Sequence, residues 1–175
     1  WDYRPTEAHH NVVRDNHVHH LGLGVLSDLA GIYLLGRSPG THAHRNLIHD
    51  IYPYYRFGHG IYLDQACSDV LVEDNLAYYT EGGVFYQHYG LNNTVRSNVF
   101  ALPTGGVGAV WSHADSTCEC DIPSECADMV ACGLGRTQGC CSELSFERNI
   151  VYVDARVGPR IFGMQWKGNS SFDSN

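Results

Sequence analysis

The sequence predicts an all-β solenoid, a parallel β-helix of about five to six coils, and three observations carry that expectation. Asparagine recurs at Asn16, Asn46, Asn75, Asn98 and Asn149, each closing a short segment such as Val72-Glu73-Asp74-Asn75. A second motif opens on glycine: Gly31-Ile32-Tyr33-Leu34-Leu35, Gly60-Ile61-Tyr62-Leu63-Asp64, Gly83-Val84-Phe85-Tyr86-Gln87 and Gly108-Ala109-Val110-Trp111-Ser112. Within both motifs apolar residues alternate with period 2, the signature of strands rather than helices. Self-similarity at roughly 20–30 residues means stacked units, each unable to bury its apolar face alone.

Taken along one coil, the first element is the strand ending at the asparagine. Its inward column, three residues earlier, reads Val13, Ala43, Val72, Val95 and Phe146. The asparagine then makes the bend, since Asn tolerates left-handed backbone angles and its amide can bond the rung above. Next comes the glycine-led strand, with Ile32, Ile61, Val84 and Ala109 inward, and Leu34, Leu63, Tyr86 and Trp111 two further on. Coils stack about 4.8 Å apart, so like positions become neighbours. Glu73 and Arg96 therefore pair on the outer face, an interaction worth at most about 1 kcal/mol. The long step from Asn98 to Asn149 reads as about two repeats and contains a cysteine cluster. The L-x-x-L-x-L framework of leucine-rich repeats is missing.

Composition narrows the function classes. A net charge of −8 lacks the basic stripe that a nucleic-acid binder needs. Apolar residues make up 43% and charged ones only 17%, which excludes a disordered chain. No apolar stretch reaches the roughly 20 residues of a membrane span. Cys118, Cys120, Cys126, Cys132, Cys140 and Cys141 cluster without clean zinc spacing and are expected to form disulfides. With sequons at Asn92 and Asn169, they point to an extracellular or secretory-pathway protein. Cys67 reads as a small buried side chain. Residues 1–175 are read as one domain and a central slice of a longer solenoid, with 114–143 as a Cys-rich insertion. Neither end resembles the polar cap a solenoid requires.

The outward columns form an elongated groove suited to a polysaccharide. Tyr33, Tyr62 and Phe85, two residues after each glycine, are expected to offer sugar-stacking rings. The next outward column holds Asp64 and Gln87, with His88 immediately after. Asp64 interrupts an otherwise uncharged strand, and Asp28 stands just ahead of the preceding one. Two carboxylates flanking a scissile bond are the usual requirement of glycoside hydrolysis. The eleven histidines do not build one column and no Asp-rich calcium column appears, so neither metal nor cofactor is expected. A monomer is expected.

Several segments in series resemble a known family. They are Gly24–Gly36, Ser38–Thr41, Asn46–Asp50, Gly60–Asp64, Val72–Leu76, Gly83–Gly90 and Arg96–Ala101, with a return at Phe146–Tyr152. The series resembles right-handed parallel β-helix proteins of the pectin-lyase-like superfamily, and is similar to glycoside hydrolase family 141. The resemblance implies Asp28 and Asp64 as catalytic carboxylates and His88 as a groove-lining residue. Gln65 stands where relatives tend to carry Glu, and Tyr86 where His is usual. Hydrolysis of a complex polysaccharide is the leading expectation. A non-catalytic carbohydrate-binding or structural β-helix is one alternative, and a polysaccharide lyase or epimerase another.

Overall fold

The computed structural model describes residues 7–106, 108–113, 142–154, 161–165 and 170–173. Every paired strand among them runs parallel, in three sheets that the chain visits in turn. The first sheet has six strands: Val12–Arg14, Arg37–His44, Ser68–Glu73, Gly90–Arg96, Ser142–Glu147 and Ser170–Asp173. The second stacks His17–Leu21, Leu47–Ile51, Leu76–Thr80, Val99–Ala101 and Ile150–Tyr152. The third stacks Leu29–Leu34, Gly58–Leu63, Phe85–His88, Val110–His113 and Phe162–Gln165. This is the predicted parallel β-helix. Its core is the space the three sheets enclose, filled by Ala43, Val72, Val95 and Phe146 from the first, Ile48, Ala77 and Phe100 from the second, and Ile61, Phe85 and Val110 from the third.

The recurring asparagines form a ladder at the corner between the first and second sheets. Asn16, Asn46, Asn75 and Asn98 each donate from Nδ2 to Oδ1 of the Asn in the next coil at 2.9 Å. The same Oδ1 atoms accept the backbone N–H of the Asn before them, at 2.9–3.2 Å. A further Nδ2 bond from Asn46, Asn75, Asn98 and Asn149 reaches back to the carbonyl of Val13, Ala43, Val72 and Val95. The left-handed backbone angle falls one residue earlier than expected. Asp15, Arg45, Asp74, Ser97 and Arg148 carry φ between 50° and 57°. The preceding residue turns the chain and the asparagine satisfies the polar groups that the turn leaves buried.

Two expectations are corrected. Asn98 and Asn149 occupy adjacent coils, with Val95 beside Phe146 and Phe100 beside Val151, so the long step is one coil carrying an insertion. Most of that insertion, including Cys118, Cys120, Cys126, Cys132, Cys140 and Cys141, lies outside the described residues; the strand resumes at Ser142. In the third sheet the glycine motif slips by one residue. Phe85, not Val84, pairs with Ile61, and Tyr86 pairs with Tyr62. A one-residue slip exchanges the faces of a strand, so Phe85 and Gln87 point inward and are fully buried. Burying Phe85 against Phe100 and Phe146 fills the core with the larger apolar side chain. Gln87 ties the opposite corner of the coil: it donates to Ser142 at 2.7 Å and accepts from Asn93 at 3.0 Å.

On the outer face Arg96 Nε meets Glu73 at 2.6 Å as expected, and His42 Nε2 reaches the other Glu73 oxygen at 2.9 Å. Cys67 is a buried free thiol that burial pushes up to about 12, which leaves it inert.

Replacing Asn75 with Ala removes five side-chain hydrogen bonds, to the Asn46 N–H, Asn46 Nδ2, Asn98 Oδ1 and the Ala43 and Glu73 carbonyls, and strands a buried N–H of Asn46 and the Ala43 carbonyl. The expected loss is about 2–4 kcal/mol in denaturant unfolding, against less than about 1 kcal/mol for Glu73→Gln on the surface.

Candidate active site on the outer face of the third sheet

The one-residue slip decides which side chains face outward here. Tyr33, Tyr62, Tyr86 and Trp111 share one outer column. The strands then place Asp64, His88 and His113 in the next, since Leu63 pairs with Gln87 and His88 with His113. Tyr62 stacks on Tyr86 at 4.7 Å, and Tyr86 on Trp111 at 4.7 Å with an 18° tilt. The ring faces are thus consumed by each other, and Tyr62 and Tyr86 are only 4% and 6% exposed. Tyr33 meets the edge of Tyr62 instead. Stacking makes Tyr62 and Tyr86 walls rather than open sugar platforms, whereas Tyr33 stays 36% exposed. Beneath them His59 is fully buried, in ring contact with Tyr62 and Tyr86; burial drives it down to about 4 and keeps it neutral.

Asp64 is the focus of the wall. It is 6% exposed and accepts hydrogen bonds from the Tyr33 hydroxyl at Oδ2 and from His88 Nδ1 at Oδ1, the latter at 2.9 Å. The Gln65 N–H and the Tyr62 hydroxyl add to these. Burial by itself would raise its pKa, but the donors, His88 first and then Tyr33, outweigh it and hold the carboxyl below the ordinary carboxylate range. The Tyr33, Tyr62 and Tyr86 hydroxyls are all shifted upward, first by burial, with the negative Asp64 adding to it. They stay protonated, and those of Tyr33 and Tyr62 act as donors to Asp64.

Asp28 approaches from the connection between the second and third sheets. Its φ of 54° is left-handed, and its N–H is tied to the Arg56 carbonyl of the next coil at 3.2 Å. Burial and then the charge of Asp64 raise its pKa, against an opposing pull from His88. The two carboxyls therefore shift in opposite directions within one electrostatic neighbourhood. A pocket of about 330 Å³ is lined by Asp28, His88, His113 and the rings of Phe57, Tyr62, Tyr86 and Trp111. Asp64 meets that pocket through His88 and Tyr62, which both bond it and line the pocket.

Of the residues singled out from the sequence, the structure brings Asp28, Asp64, Tyr33, Tyr62 and His88 together. Phe85 and Gln87 are excluded from substrate contact because both are fully buried in the interior. Alternation along the sequence puts Tyr86 and Trp111 on the inner face, and nothing along the chain marks Phe57. The signal lies in Gly108-Ala109-Val110-Trp111, where two residues rather than one separate glycine from the aromatic; in Gly83-Val84-Phe85-Tyr86 the aromatic Phe85 hides it. No group of three or more His, Cys, Asp or Glu side chains placed to hold a metal ion occurs among the described residues.

A parallel coil of three sheets, with a pocket on the outer side of the third, defines a parallel β-helix protein. Residues 6–122 match the family described as right handed beta helix region, and the chain belongs to that family. Neither a curated protein nor a solved structure matches the chain.

Carboxyl titration followed by NMR is expected to place Asp28 above and Asp64 below the ordinary aspartate value of about 3.9. Because the folded value of Asp64 is lowered, its stabilising contribution is present above about pH 4 and fades as pH falls through that folded value. For Asp28 the sign reverses: its contribution is present below about pH 4 and fades as pH rises through its raised value. Tyr33→Phe removes one donor and moves the Asp64 midpoint upward; an unmoved midpoint overturns the hydrogen-bond account.

Proposed function

We propose that this chain is the site-bearing part of a glycoside hydrolase acting on a complex polysaccharide, similar to glycoside hydrolase family 141 and exported to the extracellular space or secretory pathway. Membership in the right-handed β-helix family is consistent with a carbohydrate-active protein. The observation that carries the reading is that Asp28 lines one pocket with His88, whose Nδ1 is bonded to Asp64, and that the two carboxyls shift oppositely there, Asp28 upward and Asp64 downward. Environments that push two titratable groups apart assign their roles. Asp28, exposed and lining the pocket, is the general acid that protonates the leaving oxygen. Asp64 stays ionised. Both of its oxygens are engaged by donors, which suits it poorly to covalent attack and well to holding His88 as the group that activates water. Inversion at the anomeric carbon follows from that division of labour. The polysaccharide chain is the only partner proposed, with the protein a monomer.

Asp64→Asn is expected to lower hydrolysis of a responsive glycan by at least about 100-fold, and Asp28→Asn by a similar factor that shrinks on substrates with acidic leaving groups. The first product anomer, read by NMR, is expected to be inverted. Full hydrolysis by Asp64→Asn sinks the assignment. Because Asp64 also orients a base, unsaturated products absorbing in the ultraviolet assign elimination instead.

A further inference from the structure

A second cluster sits on the outer face of the second sheet, on a different sheet from the Asp28–Asp64 pocket. Here three of the five strands are interrupted by a left-handed residue: His20, Asp50 and Tyr79 have φ of 56°, 56° and 51°. That backbone lets two successive side chains leave on one side. His49 Nδ1 meets Asp50 Oδ2 at 2.6 Å, and the other Asp50 oxygen accepts the Tyr52 hydroxyl at 2.6 Å. The strand register sets His19 beside His49 and His49 beside Tyr78. The His49 ring is sandwiched between them, parallel to His19 at 5.3 Å and to Tyr78 at 4.8 Å. With Nδ1 held by a carboxylate and both faces packed, only Nε2 of His49 is left to work, and it points at Nε2 of His17, 2.7 Å away.

A carboxylate that accepts the N–H of one imidazole nitrogen and so turns the other nitrogen's lone pair outward is the support typical of metal-ligating histidines. We propose that His17 and His49 form a surface site for an imidazole-preferring divalent ion of the zinc or copper class, with Asp50 as the positioning residue behind His49. Without the ion, a proton on His17 Nε2 bridges the two nitrogens. On binding, His17 takes the tautomer protonated at Nδ1, and both Nε2 lone pairs turn to the metal. Two bonds of about 2.0–2.1 Å at a tetrahedral angle separate the nitrogens by about 3.3 Å, so the exposed His17 ring moves out by roughly half an ångström. Two protein ligands leave the remaining positions to water or to a donor on whatever approaches. The site is open, and imidazole ligation selects zinc or copper over magnesium or calcium.

The test is titration of the intact chain with Zn²⁺ alone by calorimetry, and with Cu²⁺ by electron paramagnetic resonance. The wild type is expected to take one equivalent at this site with a copper spectrum showing two imidazole nitrogens. His49→Phe keeps a ring between its neighbours and removes both nitrogens; it and His17→Ala each lower the affinity at least tenfold. Asp50→Asn lowers it about 10- to 100-fold, while His44→Ala, on the first sheet, leaves it unchanged. Thermal midpoints without metal confirm that the variants fold. Wild-type affinity in His49→Phe, or no binding by the wild type, overturns the proposal.

Discussion

A buried side-chain amide that must serve two coils at once is the constraint on which this molecule rests. From Asn46 to Asn98 each ladder asparagine receives bonds from the coil on one side and donates to the coil on the other. An amide does this where a carboxylate or hydroxyl cannot, because it offers an acceptor and two donors in one plane. Burial raises the stakes, since every one of these groups left unpaired costs about as much as several surface ion pairs are worth. The corner is therefore rigid, and it sets the register of the strands leading into and out of it.

Register, in turn, builds the pocket. Once Phe85 is committed to the core, Tyr86 and His88 have no choice but to face outward, and His88 arrives beside Asp64 of the coil before. The carboxylate is thus tuned by residues from three successive coils: Tyr33, its own coil's Tyr62, and His88. The chemistry of the site is a by-product of stacking, since no single coil contains it.

The repeat, the parallel pairing and the Asn ladder were legible because identical side chains at one position need nothing but counting. The Arg96–Glu73 pair followed from the same columns. Other features were hidden for physical reasons. Gly83 and Gly108 look like continuations of Gly31 and Gly60, yet core volume decides the register, and volume is shared among Phe85, Phe100 and Phe146, which are distant in the chain. The turn residue before each asparagine varies from Asp to Arg to Ser, so its left-handed backbone leaves no trace in composition. Asp28 and Asp64 stood out as isolated carboxyls. The donors that separate their behaviour came from neighbouring coils and had no signature along the chain.

The intervals along the ladder, 30, 29, 23 and 51 residues, belong to coils that are otherwise interchangeable. Each coil is like a page bound along one edge: the binding is invariant, and the margin is free. The connections between the second and third sheets, residues 22–28, 52–57 and 81–84, differ in length, and the first two of them supply Asp28 and Phe57 to the pocket. Selection can trim or extend the exposed stretch of such a margin, such as residues 23–27, while the ladder stays in place. What the molecule grips can therefore drift quickly while its spine stands still.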